Sequence, residues 1–125
     1  MNSQKTHNIL NGNIGEMTIN NNNYRKVINT TNHQQLVVMS LKPKEEIGEE
    51  VHHKVDQFIR IEKGTAVAII NDKKIILKKE HFITIPAGTN HNIINIGRSD
   101  LKLYSIYSPP NHKPGTIQKS KPKND

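Results

Sequence analysis

Two short segments of this chain carry side chains that could bind a metal ion. Glu50 and His52 are two residues apart, so on a β-strand they project from the same face. Gln57 begins an apolar run, and His91 follows a Pro-x-Gly turn later in the chain. These four side chains offer two imidazole nitrogens and two oxygens, which suit a first-row divalent metal better than calcium or magnesium. The sequence therefore predicts a metal site at these residues, with Asp56 as an alternative donor if the strand register slips.

Short β-strands must position these side chains. Runs of β-branched and apolar residues recur at short intervals between turn residues, which indicates an all-β barrel or sandwich. Asn71 and Asp72 lie between two such runs, and both tolerate the positive φ that a tight hairpin turn requires. Pro109 ends the last strand, because proline cannot donate to a sheet ladder. We predict strands at residues 24–30, 36–41, 49–52, 57–61, 65–70, 73–77, 81–85, 92–96 and 101–107.

The length and composition indicate a single domain. A chain of 125 residues can bury one core. We expect a polar N-terminal arm at residues 1–23, a barrel at residues 24–108 and a tail rich in proline and lysine at residues 109–125. The composition of the tail from Lys119 onward predicts disorder. The chain has no cysteine, so disulfides and thiolate metal sites are excluded.

The first of the two segments resembles the first motif of the cupin superfamily, G-x5-H-x-H-x(3–4)-E-x6-G. The corresponding positions here are Lys44, Glu50, His52, Gln57 and Gly64. Two ligand positions of the family are changed, from histidine to glutamate and from glutamate to glutamine. The site keeps one anionic ligand, moved to another position, so its total ligand charge resembles that of the family.

The second segment resembles the second cupin motif, G-x5-P-x-G-x2-H-x3-N. Pro86, Gly88, His91 and Asn95 match this motif, while Glu80 stands where the family has its leading glycine. The resemblance covers residues 24 to 117. It implies a double-stranded β-helix, or jelly-roll, barrel that binds manganese, iron, nickel or zinc. Small single-domain cupins resemble one another in pairing through edge strands and the N-terminal arm, which implies a homodimer.

The resemblance leaves several functions open. Residues 56–62, 101–104 and 107–110 resemble the mannose-6-phosphate isomerase-like subgroup of type-2 conserved-barrel cupins. This implies an enzyme acting on a small oxygenated metabolite such as a sugar or sugar phosphate, in which Glu50 could serve as the catalytic base if it leaves the metal. The alternatives are a cupin dioxygenase and a non-catalytic module that binds a sugar or organic acid. The pocket could also have lost its metal, with the four side chains hydrogen-bonded to one another. A second polar cluster inside the barrel would discriminate, and its candidates are Met39, Ser40, Tyr104 and Tyr107.

The charge distribution argues against a nucleic-acid partner. The net charge of +7 divides into +2 over residues 1–34, +2 over residues 35–108 and +3 over residues 109–125, without a basic face. No apolar stretch approaches the roughly 18 residues of a membrane span, and the N-terminus lacks the apolar region of a secretory signal. We therefore expect a cytoplasmic protein with a small-molecule ligand and neither a nucleic-acid nor a membrane partner.

Other polar residues have structural interpretations. The alternation of the strand places Arg60 opposite to the proposed ligands, where Glu62 or Glu80 can pair with it. Asn95 is expected to fix a turn through hydrogen bonds from its side chain to the backbone. His112 lies in a rigid Pro-Pro-x-His-x-Pro-Gly segment, and we expect this segment to pack across the barrel or a neighbouring subunit.

Overall fold

The structure, a computed structural model, describes residues 9–123. Every predicted strand except that at residues 49–52 is present, with ends that differ by no more than two residues. No helix in this part of the chain is long and apolar enough to cross a membrane. The elements are α1 (Ile14–Ile19), β1 (Arg25–Thr30), β2 (Gln35–Leu41), β3 (Asp56–Lys63), β4 (Ala66–Ile70), β5 (Lys73–Leu77), β6 (Phe82–Ile85), β7 (His91–Asn95), β8 (Leu101–Ser108) and β9 (Ile117–Gln118).

The strands form two antiparallel sheets that enclose one core. The large sheet has the order β6-β3-β8-β2-β1-β9, and the small sheet has the order β5-β4-β7. The chain between β2 and β3 extends the small sheet beside β7 through isolated bridges from Glu46 to Ile94 and from Glu50 to His91. The predicted all-β jelly-roll barrel is confirmed.

The inner face of the large sheet is apolar along most of its length and polar at one end. Ile59 and Ile61 of β3 are fully buried, and Leu103 of β8 lies opposite Ile61. Each such side chain contributes roughly 1.5–3 kcal/mol when buried. Further along the same face, the buried Gln57 lies opposite the buried Tyr107. The apolar part stabilises the barrel, and the polar end provides the side chains of a candidate functional site.

The hairpin predicted at Asn71 and Asp72 is confirmed. Both residues have positive φ, at 47° and 73°, and they connect the paired residues Ile70 and Lys73. Positive φ at both central positions matches the right-handed twist of the flanking strands, which is why this turn type suits a two-residue hairpin.

Two non-glycine residues occupy a left-handed backbone conformation where the cupin motifs begin with glycine. Lys44 has φ of 72° and Glu80 has φ of 70°. A side chain in this region of φ costs roughly 1–2 kcal/mol, and glycine removes that cost. At both positions the backbone therefore keeps the left-handed conformation of the motif, although glycine, the residue that adopts it most easily, is absent.

We expect Lys44→Gly to raise the free energy of unfolding by about 1 kcal/mol. Relief of the backbone strain stabilises the folded state, and the greater entropy of glycine in the unfolded chain offsets part of that gain. The backbone hydrogen bond from Lys44 N to Asn95 O, at 3.0 Å, is retained in the variant. Urea denaturation measures the change. Lys42→Gly is the matched control, because Lys42 is also exposed and is not among the residues with positive φ. An equal loss of stability in both variants would contradict the argument.

The strand predicted at residues 49–52 is absent. Only Glu50 forms a bridge, and His52 lies in the loop that leads to β3. Gly48 adopts φ of 110°, which interrupts the extended backbone just before this segment. Glu50 and His52 are therefore brought together by a bridge and a loop rather than by the two-residue period of a strand.

The predicted N-terminal arm contains a helix that the sequence pattern did not indicate. The side chain of Asn13 caps α1 by accepting a hydrogen bond from Glu16 N at 3.0 Å. Beyond the helix, Lys102 Nζ donates to Asn21 O at 2.6 Å and to Ser40 Oγ at 3.0 Å. Burial lowers the pKa of Lys102, with a smaller opposing effect of Asp100. A lysine of the large sheet thus holds the arm against the outer face of the barrel.

The predicted C-terminal tail also contacts the barrel. β9 pairs with β1, with Ile117 opposite Lys26. Lys121 Nζ donates to Glu46 O at 2.7 Å, within the segment for which composition predicted disorder. These contacts bind the tail to both sheets, while residues 1–8 of the arm and 124–125 of the tail lie outside the described part.

Candidate metal centre

Glu50, His52 and His91 converge at the polar end of the barrel. One potential ligand atom from each lies within 4.8 Å of the other two. His52 Nε2 is 3.5 Å and His91 Nε2 is 3.9 Å from Glu50 Oε1. Ligand atoms at bonds of about 2.1 Å and tetrahedral angles lie about 3.4 Å apart. The pair formed by His52 and Glu50 already has about this separation, and the group as a whole must contract by up to about 1.4 Å to bind one ion.

Backbone hydrogen bonds place these three residues. Glu50 N donates to His91 O at 2.8 Å, and His91 N donates to Glu50 O at 2.9 Å. Residues that exchange both bonds in this way present their side chains together on one face. His52 is positioned differently, because its carbonyl accepts from Gly88 N at 2.8 Å. Gly88 has φ of 85°, so the glycine of the second motif supports the ligand of the first.

The hydrogen bonding of His91 leaves one ring nitrogen available to a metal. His91 Nδ1 lies 2.9 Å from Thr89 O, and a carbonyl can only accept, so Nδ1 carries the proton. In the neutral ring, Nε2 then presents its lone pair to the site. The Nε2 atoms of His91 and His52 are both buried and form no hydrogen bond among the described residues.

Gln57 faces the same end of the barrel from the large sheet. Its side chain is almost fully buried, and Nε2 donates to Ser105 Oγ at 3.3 Å. Its Oε1 atom is buried without a hydrogen-bond partner in residues 9–123. An unsatisfied buried acceptor costs roughly 1–3 kcal/mol. Three of the four predicted ligands thus have buried atoms without a hydrogen-bond partner among residues 9–123, and the chemistry of these two nitrogens and one oxygen suits a divalent cation.

The electrostatics keep Glu50 ionised. Burial raises the pKa of Glu50, but the adjacent imidazole of His52 lowers it, with smaller contributions in the same direction from His91 and Arg25. The net pKa lies below the usual value of 4.5. The site therefore holds an anionic oxygen beside two imidazole nitrogens, which is the charge that a dication requires.

Arg25 is a residue near the site that the sequence reasoning missed. Its side chain is buried, donates to Gln118 Oε1 at 2.6 Å and lies over the ring of Tyr24. Its charge is the smallest of the causes that lower the pKa of Glu50. The alternation of Arg25 with the buried Val27 on β1 was the available signal for its inward orientation.

Several other polar residues behave as the sequence predicted. Arg60 Nε lies 2.9 Å from Glu62 Oε2, and Glu80 is a second partner at 3.7 Å, so the predicted ion pair is confirmed.

Asp56 does not join the three converging groups, because its Oδ1 atom accepts from Ala87 N at 2.9 Å on the exposed side. The alternative in which a slipped register brings Asp56 into the site is therefore wrong.

Asn95 has the turn-fixing role that was predicted for it. Its Nδ2 atom donates to Leu41 O at 2.9 Å and to Ser99 O at 3.0 Å. Its Oδ1 atom accepts from Gly97 N at 2.8 Å. The motif asparagine thus joins the end of β2 to the turn after β7.

A second polar cluster lies beside the converging ligands. Tyr107 packs edge-on against the ring of His52, with centroids 6.0 Å apart. The Tyr107 hydroxyl lies 3.3 Å from His112 Nε2, so the segment that carries His112 does pack against the barrel, as predicted. The pairing register places Ser40 and Tyr104 on the outer face of the large sheet. Tyr107 is the member of the four-residue candidate set that faces the polar end of the barrel.

Comparison with known proteins identifies the class. Residues 37–107 match the family described as the Cupin domain, which is more than half of the chain. The chain therefore belongs to the cupin superfamily. It is 54% identical over 114 residues to an uncharacterized protein of Acanthamoeba polyphaga mimivirus, an alignment that covers 88% of this chain and 71% of that protein.

The chain is also similar to two further proteins. The chain is 44% identical over 115 residues to the uncharacterized protein YrkC of Bacillus subtilis strain 168, covering 87% of this chain and 62% of YrkC. The chain thus spans less than two thirds of the length of YrkC. A crystal structure of a Bacillus halodurans protein superimposes with a TM-score of 0.88 at 36% identity, covering 90% of this chain and 89% of that one.

Proposed function

We propose that this cupin is a metal-dependent enzyme acting on a small oxygenated metabolite, with a sugar or sugar phosphate isomerisation as the reaction type. The observation that carries the proposal is the convergence of Glu50, His52 and His91 with unsatisfied nitrogens on both histidines. We propose these three residues and Gln57 as ligands of manganese, iron, nickel or zinc.

The residues of the site have separable tasks in this proposal. A divalent ion held by these four residues would supply Lewis acidity toward a carbonyl or hydroxyl oxygen of the metabolite. Thr89 O fixes the ring of His91, and Ser105 holds the amide of Gln57. The Glu50 side chain is 30% exposed, so it lies on the accessible side of the group. Glu50 is ionised, because its pKa is lowered, and it can accept a proton from the metabolite as a general base once it leaves the metal.

The second polar cluster favours an enzyme over a simple binding module. Moving a proton between neighbouring carbons requires a base and a polar group on the oxygen that changes its bonding. Glu50 supplies the first, and Tyr107 lies beside His52 with its hydroxyl next to His112. The Tyr107 ring thus adjoins the centre that contains Glu50, and we propose the paired Tyr107 and His112 as the second type of group.

Metal analysis of untagged protein tests the proposal directly. We expect about one first-row divalent ion per chain after purification without chelators. A thermal-shift screen of sugars, sugar phosphates and organic acids then compares the metal-loaded protein with the chelator-treated protein. Compounds that bind only the loaded form are incubated with it and followed by NMR for isomerisation. Binding without turnover would establish the non-catalytic module, and absence of both metal and metal-dependent ligand would overturn the proposal.

We also propose that the chain forms a homodimer through β6, whose outer edge pairs with no other described strand. β6 contains no charged residue and no proline, whereas β5, at the edge of the small sheet, carries Lys73 and Lys74. Charged residues protect edges from unwanted pairing, and β6 lacks them. Phe82 is 60% exposed and stacks on Phe58, which adds an apolar surface beside this edge. Two β6 strands can pair antiparallel about a two-fold axis, so a second copy is the partner that fits.

Light scattering at micromolar concentration is expected to give twice the monomer mass of 14.2 kDa. Thr84→Lys places a charge on β6 and should yield monomers with an unchanged circular dichroism spectrum. Ile75→Lys is the matched control, because it adds the same charge to the β5 edge, and this variant should remain dimeric. A wild-type mass near 14.2 kDa would refute the dimer, and dissociation by Ile75→Lys instead would place the interface elsewhere.

A further inference from the structure

The free edge of β6 has a hydrogen-bond pattern that restricts how another strand can pair with it. Where β3 meets the start of β6, Ile61 N donates to His81 O at 3.0 Å. Hydrogen-bonded pairs alternate along an antiparallel ladder, so the backbone groups of Ile83 also point toward β3. The residues on either side of Ile83, Phe82 and Thr84, therefore direct their N–H and C=O groups to the free edge.

Two copies of β6 can pair in one register that uses all of these groups. A two-fold axis perpendicular to the sheet makes the strands antiparallel and keeps both outer faces on the same side. With the axis at Ile83, Phe82 of each copy lies opposite Thr84 of the other, and both residues offer the groups that such a pair exchanges. An axis at Thr84 instead places Phe82 opposite Pro86, which has no N–H. An axis at Phe82 places Thr84 opposite Glu80, whose φ of 70° is not that of a strand.

The outer face beside β6 carries a groove that this register can fill. The groove has a volume of about 500 Å³, and its lining is largely apolar, with Phe58, Pro86 and Ile106 among its residues. Thr84 borders it on β6. Phe82 projects from the same face and is 60% exposed. Because Phe82 of one copy lies beside Thr84 of the other, each ring is placed at the opening of the other copy's groove.

Size and charge both favour a second copy as the occupant. A pair of four-residue strands alone is small beside the roughly 1,200 Å² that the smaller stable interfaces bury. Two rings in two grooves add apolar area, since an aromatic side chain can bury roughly 150–250 Å². Each copy also carries a net charge of +7, so two copies repel least where lysine and arginine are absent. Neither β6 nor the lining of the groove contains either residue.

We infer that the two copies pair their β6 strands about an axis at Ile83, and that Phe82 of each copy inserts into the groove of the other, against Phe58 and Ile106. The inference rests on the homodimer proposed above and is independent of the metal centre. A ring and a groove on the same face of each copy give the self-complementary surface that a two-fold interface requires. The large sheets of the two copies then form one continuous sheet.

Single cysteine substitutions test the register, because the chain has no cysteine of its own. With the axis at Ile83, the two Ile83 residues form a pair without hydrogen bonds, whose Cα atoms lie about 4.5 Å apart, a separation that a disulfide can span. Ile83→Cys should therefore give a covalent dimer on a non-reducing gel after mild oxidation. Phe82→Cys and Thr84→Cys should each stay unlinked, because identical positions then meet only diagonally at about 7–8 Å. An equimolar mixture of these two variants should link after subunit exchange.

Phe82→Ala tests whether the ring fills the groove. Each dimer loses two inserted rings, so we expect the dissociation constant from analytical ultracentrifugation to rise at least about thirtyfold. Ile96→Ala is the matched control, because Ile96 is also an exposed apolar residue and lies away from β6. This control should keep the dissociation constant within about twofold. Phe82 is exposed, so the variant should fold, and its circular dichroism spectrum checks this.

The outcomes separate this inference from the proposals on which it rests. A monomeric wild type overturns the dimer and this inference together and leaves the metal-dependent function to its own tests. Linkage through Phe82→Cys or Thr84→Cys instead of Ile83→Cys overturns the register. A dimer in which none of these positions links has its interface elsewhere, which overturns both the β6 pairing and the inference. A dimer that links through Ile83→Cys but keeps its affinity in Phe82→Ala overturns the insertion of the ring.

Discussion

His91→Ala is expected to abolish the stabilisation of this protein by divalent metals. A ligand that binds only the folded state raises the free energy of unfolding by about 2.7 kcal/mol at a hundredfold excess over its dissociation constant. The substitution removes one of two imidazole donors, the one whose proton is fixed on Nδ1 by Thr89 O. Thermal melts with and without manganese, iron, nickel or zinc should therefore coincide for the variant and differ for the wild type.

The comparison must use the metal-dependent shift rather than the absolute melting temperature. His91 is buried, so its truncation also lowers the stability of the metal-free barrel. His81→Ala removes an exposed histidine and should leave the full shift. Protons compete with the ion for histidine nitrogens, so the wild-type shift should shrink as the pH falls toward about 6. A shift of wild-type size in His91→Ala would remove this residue from the site.

Gln57→Glu is expected to change stability in opposite directions with and without metal. The new carboxylate is buried, so the metal-free variant should lose roughly 1–3 kcal/mol of unfolding free energy. A second anionic ligand should tighten metal binding by about tenfold or more, which is at least about 1.4 kcal/mol. Calorimetric titration measures the affinity, and denaturation with and without metal measures the stabilities.

Gln35→Glu is the matched control for this change. Gln35 is equally buried and lies on the other side of Tyr107, but its amide is committed to His112 and Thr30. This variant should lose stability without recovering it when metal is added. If the wild type shows no metal-dependent shift and Gln57→Glu creates one, the natural chain is a metal-free barrel, and the binding-module interpretation replaces the enzyme.

The strands were predictable because each depends on a local pattern. β3 alternates Gln57, Ile59 and Ile61 toward the core, and the positive φ of Asn71 and Asp72 follows from their own side chains. The proximity of the proposed ligands was also predicted, but for Glu50 and His52 the predicted cause was wrong. A bridge to β7 and a bond from Gly88 replace the expected strand, and neither is encoded within the segment itself.

Tyr107 and the packing of the His112 segment were among the expectations, but the contacts that join them into a second polar cluster could not be found from local patterns. Gln35 and His112 are 77 positions apart, and the bond between them exists only after β2 and β8 have paired. The prolines around His112 indicated a rigid segment, but they did not indicate that the His112 ring would pack against Tyr107. Arg25 is similar, because its effect on Glu50 acts across the space between the two sheets rather than along the chain.

The isolated bridge between Glu50 and His91 has a consequence for the speed of metal exchange. It consists of two hydrogen bonds outside any named strand, so the segment around Glu50 can separate from β7 while the ladders of both sheets remain intact. Glu50 departs in this event, and His52 departs with it when the hydrogen bond from Gly88 N to His52 O also breaks, while His91 and Gln57 stay on their strands. An ion held by all four then loses half of its donors. The residence time of the ion and the protection of the Glu50 amide from hydrogen exchange should therefore be governed by the same opening.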